Sequence, residues 1–312
     1  MQPRFDINSA PLADNNKRSW RVWYQLLRPH TLTAGFVPVL IGTALAMQSY
    51  DIHFLLFLAM LFASLLIQAA TNMFNEYYDF KRGLDTENSV GIGGAIVREG
   101  ITPKTVMTLA LAFYGTALLL GVYICMETSW WLAAIGSICM TIGYFYTGGP
   151  VPIAYTPFGE LMAGFFMGVL IILISFYIQA GYVSSTAVLV SIPVAILVGA
   201  IMLANNIRDL DGDKENGRKT LAILFGHEKA IYLLAGMFIV SYLWVVGMVA
   251  AGLVSPFLLI VFLSVPKAVK ATKGFIGKTM PNQMMPAMKA TAQTNTVFGF
   301  LLSIGLFISY FI

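Results

Sequence analysis

Two short polar clusters contain the residue types in this sequence that are best suited to chemistry. The first comprises Asn72, Asn75, Glu76 and Asp79, with Asp85 six residues further on. Positions i, i+3, i+4 and i+7 share one face of a helix, so the first four side chains are expected to lie together. Carboxylate and carboxamide oxygens, without His or Cys, form a hard ligand set that suits Mg²⁺. The cluster therefore predicts a site for a divalent cation.

A second cluster repeats the pattern with Asn206, Asp209 and Asp213, and Gly212 can end its helix. Mg²⁺ in proteins usually joins one or two carboxylates to the phosphates of a substrate. Lys and Arg residues stand beside both clusters, so facing clusters would suit a complex of Mg²⁺ with a diphosphate. Ordinary polar helix ends with interfacial ion pairs remain the alternative, which explains either cluster alone more easily than both.

The elements that position these clusters are predicted to be membrane-spanning helices. Of 312 residues, 58% are hydrophobic and 11% are charged, whereas soluble domains have about 25% charged residues. Uninterrupted apolar stretches such as 161–180 and 186–203 approach the roughly 20 residues that a spanning helix needs. Lipid offers no hydrogen bonds to the backbone, so we predict an all-α protein. Nine spans are expected, near 31–49, 54–79, 103–126, 130–147, 157–180, 186–208, 229–251, 254–270 and 291–312.

The distribution of basic residues predicts the orientation. With the N-terminus inside, all 19 Lys and Arg residues fall in inner segments or at the inner ends of helices, as the positive-inside rule requires. We therefore expect a cytoplasmic segment 1–30, one transmembrane domain over 31–312, an outer C-terminus and a site near the cytoplasmic face. The net charge of +4 follows from this topology and from anionic lipid, so no nucleic-acid partner is expected.

The motifs Asn75-Glu76-x-x-Asp79-x5-Asp85 and Asn206-x-x-Asp209-x3-Asp213 resemble the two aspartate-rich motifs of the UbiA superfamily of intramembrane prenyltransferases, whose members have nine transmembrane helices. Further stretches resemble the branch that acts in menaquinone biosynthesis: Arg28-Pro29-His-Thr-Leu-Thr, Gly83-Leu-Asp85-Thr86, Tyr146-Thr-Gly-Gly-Pro150 and Gly217-Arg-Lys219-Thr220. Two departures stand out. Glu76 replaces a common Asp, and the spacing from Asp79 to Asp85 differs from that of the 4-hydroxybenzoate branch.

The resemblance implies Mg²⁺-dependent transfer of a prenyl chain from a polyprenyl diphosphate to 1,4-dihydroxy-2-naphthoate, with loss of CO₂. It places one Mg²⁺ at Asp79 and Asp85, with Asn72, Asn75 and Glu76 around them. It places the other at Asn206, Asp209 and Asp213. The four aspartates are the implied catalytic residues. The isoprenoid tail would lie among apolar side chains and reach the lipid sideways, and no organic cofactor is expected.

Several further residues are candidates for substrate binding. For the diphosphate they are Lys81, Arg82, Arg98, Arg208 and Lys219, because Lys offers a point charge and Arg a fork for phosphate oxygens. Arg28 is a candidate for the acceptor carboxylate. Tyr144 and Tyr146 could hydrogen-bond the diphosphate or wall the allylic cation. Ordinary topology and interfacial aromatics are the alternative explanation for each of them.

Two other functions are compatible with these features. A sister enzyme of the same superfamily could use another aromatic acid or a glycerol phosphate lipid as its acceptor. A secondary transporter would also have intramembrane carboxylates, but it should show broken helices and polar residues near the bilayer midplane. Here the charges cluster at the cytoplasmic ends, which favours the enzyme. The sequence does not fix the prenyl chain length or the oligomeric state.

Overall fold

The computed structural model describes residues 20–85 and 94–311, and helices dominate that part of the chain. Short 3₁₀ segments occur at Ile153–Tyr155 and Pro256–Ser264. The helices are α1 (Trp20–Leu27), α2 (Pro29–Met47), α3 (Phe54–Lys81), α4 (Pro103–Glu127), α5 (Trp131–Phe145), α6 (Gly159–Ala180), α7 (Ser185–Arg208), α8 (Leu210–Glu215), α9 (Leu221–Phe225), α10 (His227–Ala250), α11 (Val265–Phe275) and α12 (Pro281–Tyr310).

Each of the nine predicted spans has a helical counterpart in the described residues, which confirms the all-α membrane architecture. Six helices are long and apolar enough to cross a bilayer, namely α3, α4, α6, α7, α10 and α12. The helices α2 and α5 are shorter apolar helices, and the eighth span is the 3₁₀ segment that continues into α11. Apolar side chains such as Leu111 and Leu119 are more than half exposed on α4, as expected of a face that contacts lipid.

The last helix differs most from its prediction, because it begins at Pro281 and not near 291. Its first turns carry Asn282, Lys289 and other polar residues, which lowered the hydropathy there. These side chains line an internal cavity, so they do not have to be apolar. Pro281 fits the first turn of a helix, where its missing N–H costs no hydrogen bond.

Part of the predicted N-terminal segment is also folded onto the bundle. Val22 and Leu26 of α1 are buried against Ala70 and Met73 of α3. Residues 1–19 lie outside the described part of the chain. The α1 contact matters for the site because α1 leads directly into Arg28 and α2.

Small residues allow α6 and α7 to approach closely. A Cβ added at Gly164 or Gly168 would lie 2.5 Å or 2.3 Å from backbone atoms of Ala195, so only glycine fits at these two positions. Close backbone approach at small residues is a common way for membrane helices to associate. Gly164–Leu170 forms a π-helical stretch within α6. The contact brings Glu160, at the start of α6, against the C-terminal end of α7.

Candidate active site

A cavity of about 1610 Å³ lies within the bundle and receives residues from both acidic clusters. Along α3 its lining runs from Met60 through Ile67 to Asp79, a helical rise of about 28 Å. The part of the cavity away from the acidic clusters is lined by apolar and small side chains such as Leu132 and Ile174. One end is therefore polar and acidic, and the rest is long and apolar.

The polar residues of α3 form two adjacent strips, although the sequence predicted a single face. Each residue advances about 100° around the helix, so Asn75 and Asp79 lie to one side of Asn72 and Glu76. Asn72, Asn75 and Asp79 line the cavity, whereas Glu76 is buried and faces protein. Asn72 donates from Nδ2 to the carbonyl oxygen of Leu27 at 3.2 Å and to Oγ1 of Thr31 at 2.8 Å. This strip joins α3 to the connection between α1 and α2.

Glu76 uses both of its carboxylate oxygens on protein donors. Its Oε1 accepts from the backbone N–H of Gly94 at 2.7 Å and of Ile96 at 3.3 Å. Its Oε2 accepts from the guanidinium of Arg28 at 2.9 Å. Arg28 also donates to Oδ1 of Asn75 at 3.1 Å and lines the cavity. These contacts differ from those of a metal ligand, which is the role predicted for Glu76.

The second cluster lies where α7 ends. α7 stops at Arg208, Asp209 leaves the helix, and α8 carries Asp213. Asn206, Asp209 and Asp213 all line the cavity, although they do not share one helix face, because the helix breaks at Asp209 and not at Gly212 as predicted. Arg208 donates from Nε to Oδ1 of Asp209 at 2.6 Å, so this cation is already paired within its own motif.

Arg218 connects the two clusters. Its guanidinium lies 3.4 Å from Oδ1 of Asp79 and 3.0 Å from Oδ1 of Asp213. The same group stacks 4.7 Å from the ring centroid of Tyr155, and Arg82 lies 5.3 Å from that ring. The C-terminal ends of α3 and α7 therefore face one another across the Arg218 guanidinium.

Burial raises the pKa values of two carboxyl groups that lie outside the spanning helices. Burial raises the pKa of Asp213 to about 7, although Arg218 opposes the shift. Burial also raises the pKa of Asp85, and the Glu76 carboxylate adds to that effect. A cation bound at either carboxyl group would favour its ionised form and lower its pKa, so binding there would release protons.

The clusters are chemically suited to Mg²⁺ together with a diphosphate. Within residues 20–85 and 94–311, no three acidic, His or Cys side chains gather as a metal cluster. Mg²⁺ commonly uses only one or two carboxylates and completes its shell with waters and phosphate oxygens. Oδ2 of Asp213 is buried and has no hydrogen-bond partner among the described residues. The oxygen donors thus fit a cation that arrives with its anionic substrate.

The remaining predicted residues divide between the cavity and the protein surface. Arg98 and Tyr146 line the cavity. Tyr144 instead bonds its hydroxyl to that of Tyr78 and packs edge-on against Phe74. Lys81 and Lys219 are exposed outside the cavity lining. The structure thus brings two of these five residues to the site.

Three residues of the site were missed by reasoning from the sequence. Arg218 was one of several basic residues near the second motif, and nothing in the spacing singled it out. Lys289 lines the cavity from α12, in a segment predicted as an inner link. Glu160 lies in the first turn of α6, where an acidic residue is common at the start of a helix, but here its Oε1 accepts a hydrogen bond from Nδ2 of Asn206 at 2.8 Å. Because Asn206 donates to Glu160 through its Nδ2, its carboxamide oxygen points away from Glu160.

Comparisons with known proteins identify relatives of the chain. A sequence model described as the UbiA prenyltransferase family matches residues 35–288. The chain is 66% identical to 1,4-dihydroxy-2-naphthoate octaprenyltransferase of Bacillus subtilis, over 93% of this chain and 94% of that protein. It is 27% identical to the protein of the same name in Mycobacterium tuberculosis, over 88% and 92% of the two chains.

Solved structures share the fold. A UbiA homologue from Archaeoglobus fulgidus bound to DMAPP and Mg²⁺ superposes with a TM-score of 0.60 at 17% identity, covering 90% of this chain and 99% of that one. A UbiA homologue from Aeropyrum pernix K1, in its apo form, superposes with a TM-score of 0.66 at 14% identity, over 90% and 98% of the chains.

Proposed function

This chain belongs to the UbiA prenyltransferase family, and from that premise we propose that it transfers a polyprenyl chain from its diphosphate to 1,4-dihydroxy-2-naphthoate. The acceptor follows from the 66% identity with the Bacillus subtilis enzyme over almost the whole chain. The protein is an integral membrane prenyltransferase of menaquinone biosynthesis. The observation that carries the site assignment is the meeting of two oxygen-rich clusters at the polar end of one long apolar cavity.

The metal component of the proposal is Mg²⁺. Asn75, Asp79 and Asp85 would hold one ion, and Asn206, Asp209 and Asp213 the other. When bound, the ions would neutralise charge on the diphosphate as it leaves, which is electrostatic stabilisation of the transition state. The structure of a homologue with DMAPP and Mg²⁺ supports the choice of metal by analogy.

The chain's own residues would position the two substrates. Arg28, Arg98 and Arg218 present guanidinium groups at the acidic end of the cavity, where they suit phosphate or carboxylate oxygens. Glu160 orients the carboxamide of Asn206. The apolar walls would hold the isoprenoid tail and keep water from the allylic carbon as its bond to the diphosphate oxygen breaks.

The bond changes in the proposed reaction balance without a further reagent. The allylic carbon–oxygen bond breaks, and the electron pair leaves with the diphosphate. The ring carbon that bears the carboxylate forms the new carbon–carbon bond. The bond from that carbon to the carboxylate then breaks, so that CO₂ leaves and its electron pair restores the aromatic ring.

We also propose the orientation of the chain. The N-terminus would be cytoplasmic and the C-terminus outside, because the 19 Lys and Arg residues fall on one side of the nine spans. The residues 31–312 would then act as one transmembrane domain, with its acidic site near the cytoplasmic face. Both substrates could reach the site from that face or from the inner leaflet.

The acceptor can be tested with a substrate panel. Purified protein in detergent is incubated with a labelled polyprenyl diphosphate, Mg²⁺ and either 1,4-dihydroxy-2-naphthoate, 4-hydroxybenzoate or a glycerol phosphate lipid. We expect lipid-soluble labelled product with the naphthoate alone, its loss in EDTA and its return with added Mg²⁺. Product with one of the other acceptors only would keep the family and overturn the acceptor. A folded protein that prenylates none of them would return the transporter to consideration.

A further inference from the structure

We propose that Glu76 is a positioning residue, which holds the Arg28 guanidinium at the cavity wall and joins residues 94–96 to α3, and that it does not bind metal. The proposal rests on the prenyl-transfer function proposed above. It assigns to Glu76 a role different from that of Asp79, although both belong to the same polar motif of α3.

The contacts of the carboxylate lead to this role. Glu76 is 2% exposed and is absent from the cavity lining. Oε1 accepts hydrogen bonds from the backbone N–H groups of Gly94 and Ile96, and Oε2 accepts one from the guanidinium of Arg28. A buried carboxylate that accepts bonds on both oxygens is stabilised where it lies. To bind a metal ion it would have to give up its ion pair with Arg28 and two hydrogen bonds from backbone N–H groups.

Arg28 needs such support because its backbone is unusual. With φ of 51° it is the one non-glycine residue with positive φ in the described chain, at the junction of α1 and α2. The junction directs its side chain across α3, where it donates to Asn75 and Glu76. Backbone conformations of this kind persist when surrounding contacts fix them, and they are common at binding sites.

Glu76 also keeps Arg28 from pairing with another carboxyl group of the site. The positive charge of Arg28 also acts on the carboxyl group of Asp85, which lies in the cavity lining. Without Glu76, the guanidinium would be free to pair with that proposed metal ligand. Arg28 would then compete with the cation and would no longer be aimed at a substrate anion.

Replacement by glutamine separates the two contacts of Glu76. In the E76Q variant, the amide oxygen can still accept from Gly94 and Ile96, but the amide N–H₂ would face the donors of Arg28. In the E76A variant both contacts are lost. We therefore expect faster hydrogen exchange at 94–96 in E76A than in E76Q, and exchange in E76Q close to that of the parent.

A double-mutant cycle with Arg28 provides the decisive test. We expect E76Q to lower kcat/KM by about 10- to 100-fold, the usual effect of removing the partner that orients a site residue. Because Glu76 acts through Arg28, the E76Q/R28Q double variant should be no worse than R28Q alone. With Arg28 absent as a competitor, the Mg²⁺ concentration for half-maximal activity and the rise in melting temperature on adding Mg²⁺ should be the same in E76Q/R28Q as in R28Q.

Several results would overturn the proposal. They are multiplicative losses in the double variant, a weaker response of melting temperature to Mg²⁺ in E76Q/R28Q than in R28Q, or unchanged kcat/KM in E76Q. Melting curves establish folding first, and E76D, which keeps the charge but shortens its reach, replaces E76Q in the cycle if E76Q does not fold. Parent protein that is inactive with the naphthoate would count against the proposed function, whereas hydrogen exchange and the Mg²⁺ response still test the role of Glu76.

Discussion

Substituting asparagine for Asp213 is expected to lower kcat/KM for prenyl transfer by about 10²- to 10³-fold, the range seen when one electrostatic contact to a transition state is lost. Asp213 lines the cavity, and its Oδ2 has no protein partner among the described residues. Asparagine keeps the size of the side chain and removes the charge that would hold a cation. Initial rates over a range of Mg²⁺ concentrations measure the effect, and part of the loss should be recovered at high Mg²⁺.

Asp211 provides a matched control for this substitution. It lies two residues away on the same short helix, but it is exposed and outside the cavity lining. D211N should therefore keep the kcat/KM and the Mg²⁺ dependence of the parent. Equal losses in D211N and D213N would indicate a general effect of charge at this surface and would contradict the assignment of Asp213.

Replacing Arg218 by glutamine should destabilise the protein strongly in EDTA and much less in Mg²⁺. Arg218 bridges Asp79 and Asp213, and all three side chains are at most 15% exposed. Removing one partner from a buried ion pair typically costs about 3–5 kcal/mol, because it leaves charge uncompensated. A divalent cation between the same carboxylates would supply positive charge in its place. Melting temperatures in EDTA and in Mg²⁺ measure the two states.

Arg82 offers the comparison for Arg218. It stacks on the same tyrosine ring, but it donates to the carbonyl oxygens of Thr147 and Gly149 and not to the two acidic clusters. R82Q should lower the melting temperature by a similar amount with and without Mg²⁺. If R218Q also lowered the melting temperature equally in EDTA and in Mg²⁺, Arg218 would stabilise the surrounding loops and would not act as the counter-ion of the acidic clusters.

The main parts of the site could be predicted because they depend on local sequence. Apolar stretches fixed α3 and α7 as helices, and the seven-residue spacing from Asn72 to Asp79 placed the cluster at the end of one of them. The positive-inside pattern put both ends on one face of the membrane. Hydropathy and helical period are local properties of a few turns of sequence, so a single sequence is enough to predict these helices from them.

The rest of the site depends on tertiary contacts. Helical period alone cannot separate Asn75 and Asp79 from Glu76, because they differ by only a fraction of a turn, and the packing of α1 and residues 94–96 decides which strip faces the cavity. Arg218 reaches Asp79 across 139 positions of sequence. Hydropathy missed the start of α12 because Asn282 and Lys289 face an internal cavity, which a scale based on lipid contact does not anticipate.

We propose above all that the two acidic clusters together hold one metal–diphosphate complex. The most direct measurement is a crystal structure of the purified protein with Mn²⁺, as an anomalous substitute for Mg²⁺, and a non-reactive thiolodiphosphate analogue of the prenyl donor. We predict anomalous density in direct contact with carboxylate oxygens of both Asp79 and Asp213, with the diphosphate between them and the tail in the apolar cavity. A diphosphate held by basic residues alone, or metal bound away from these two aspartates, would contradict the account.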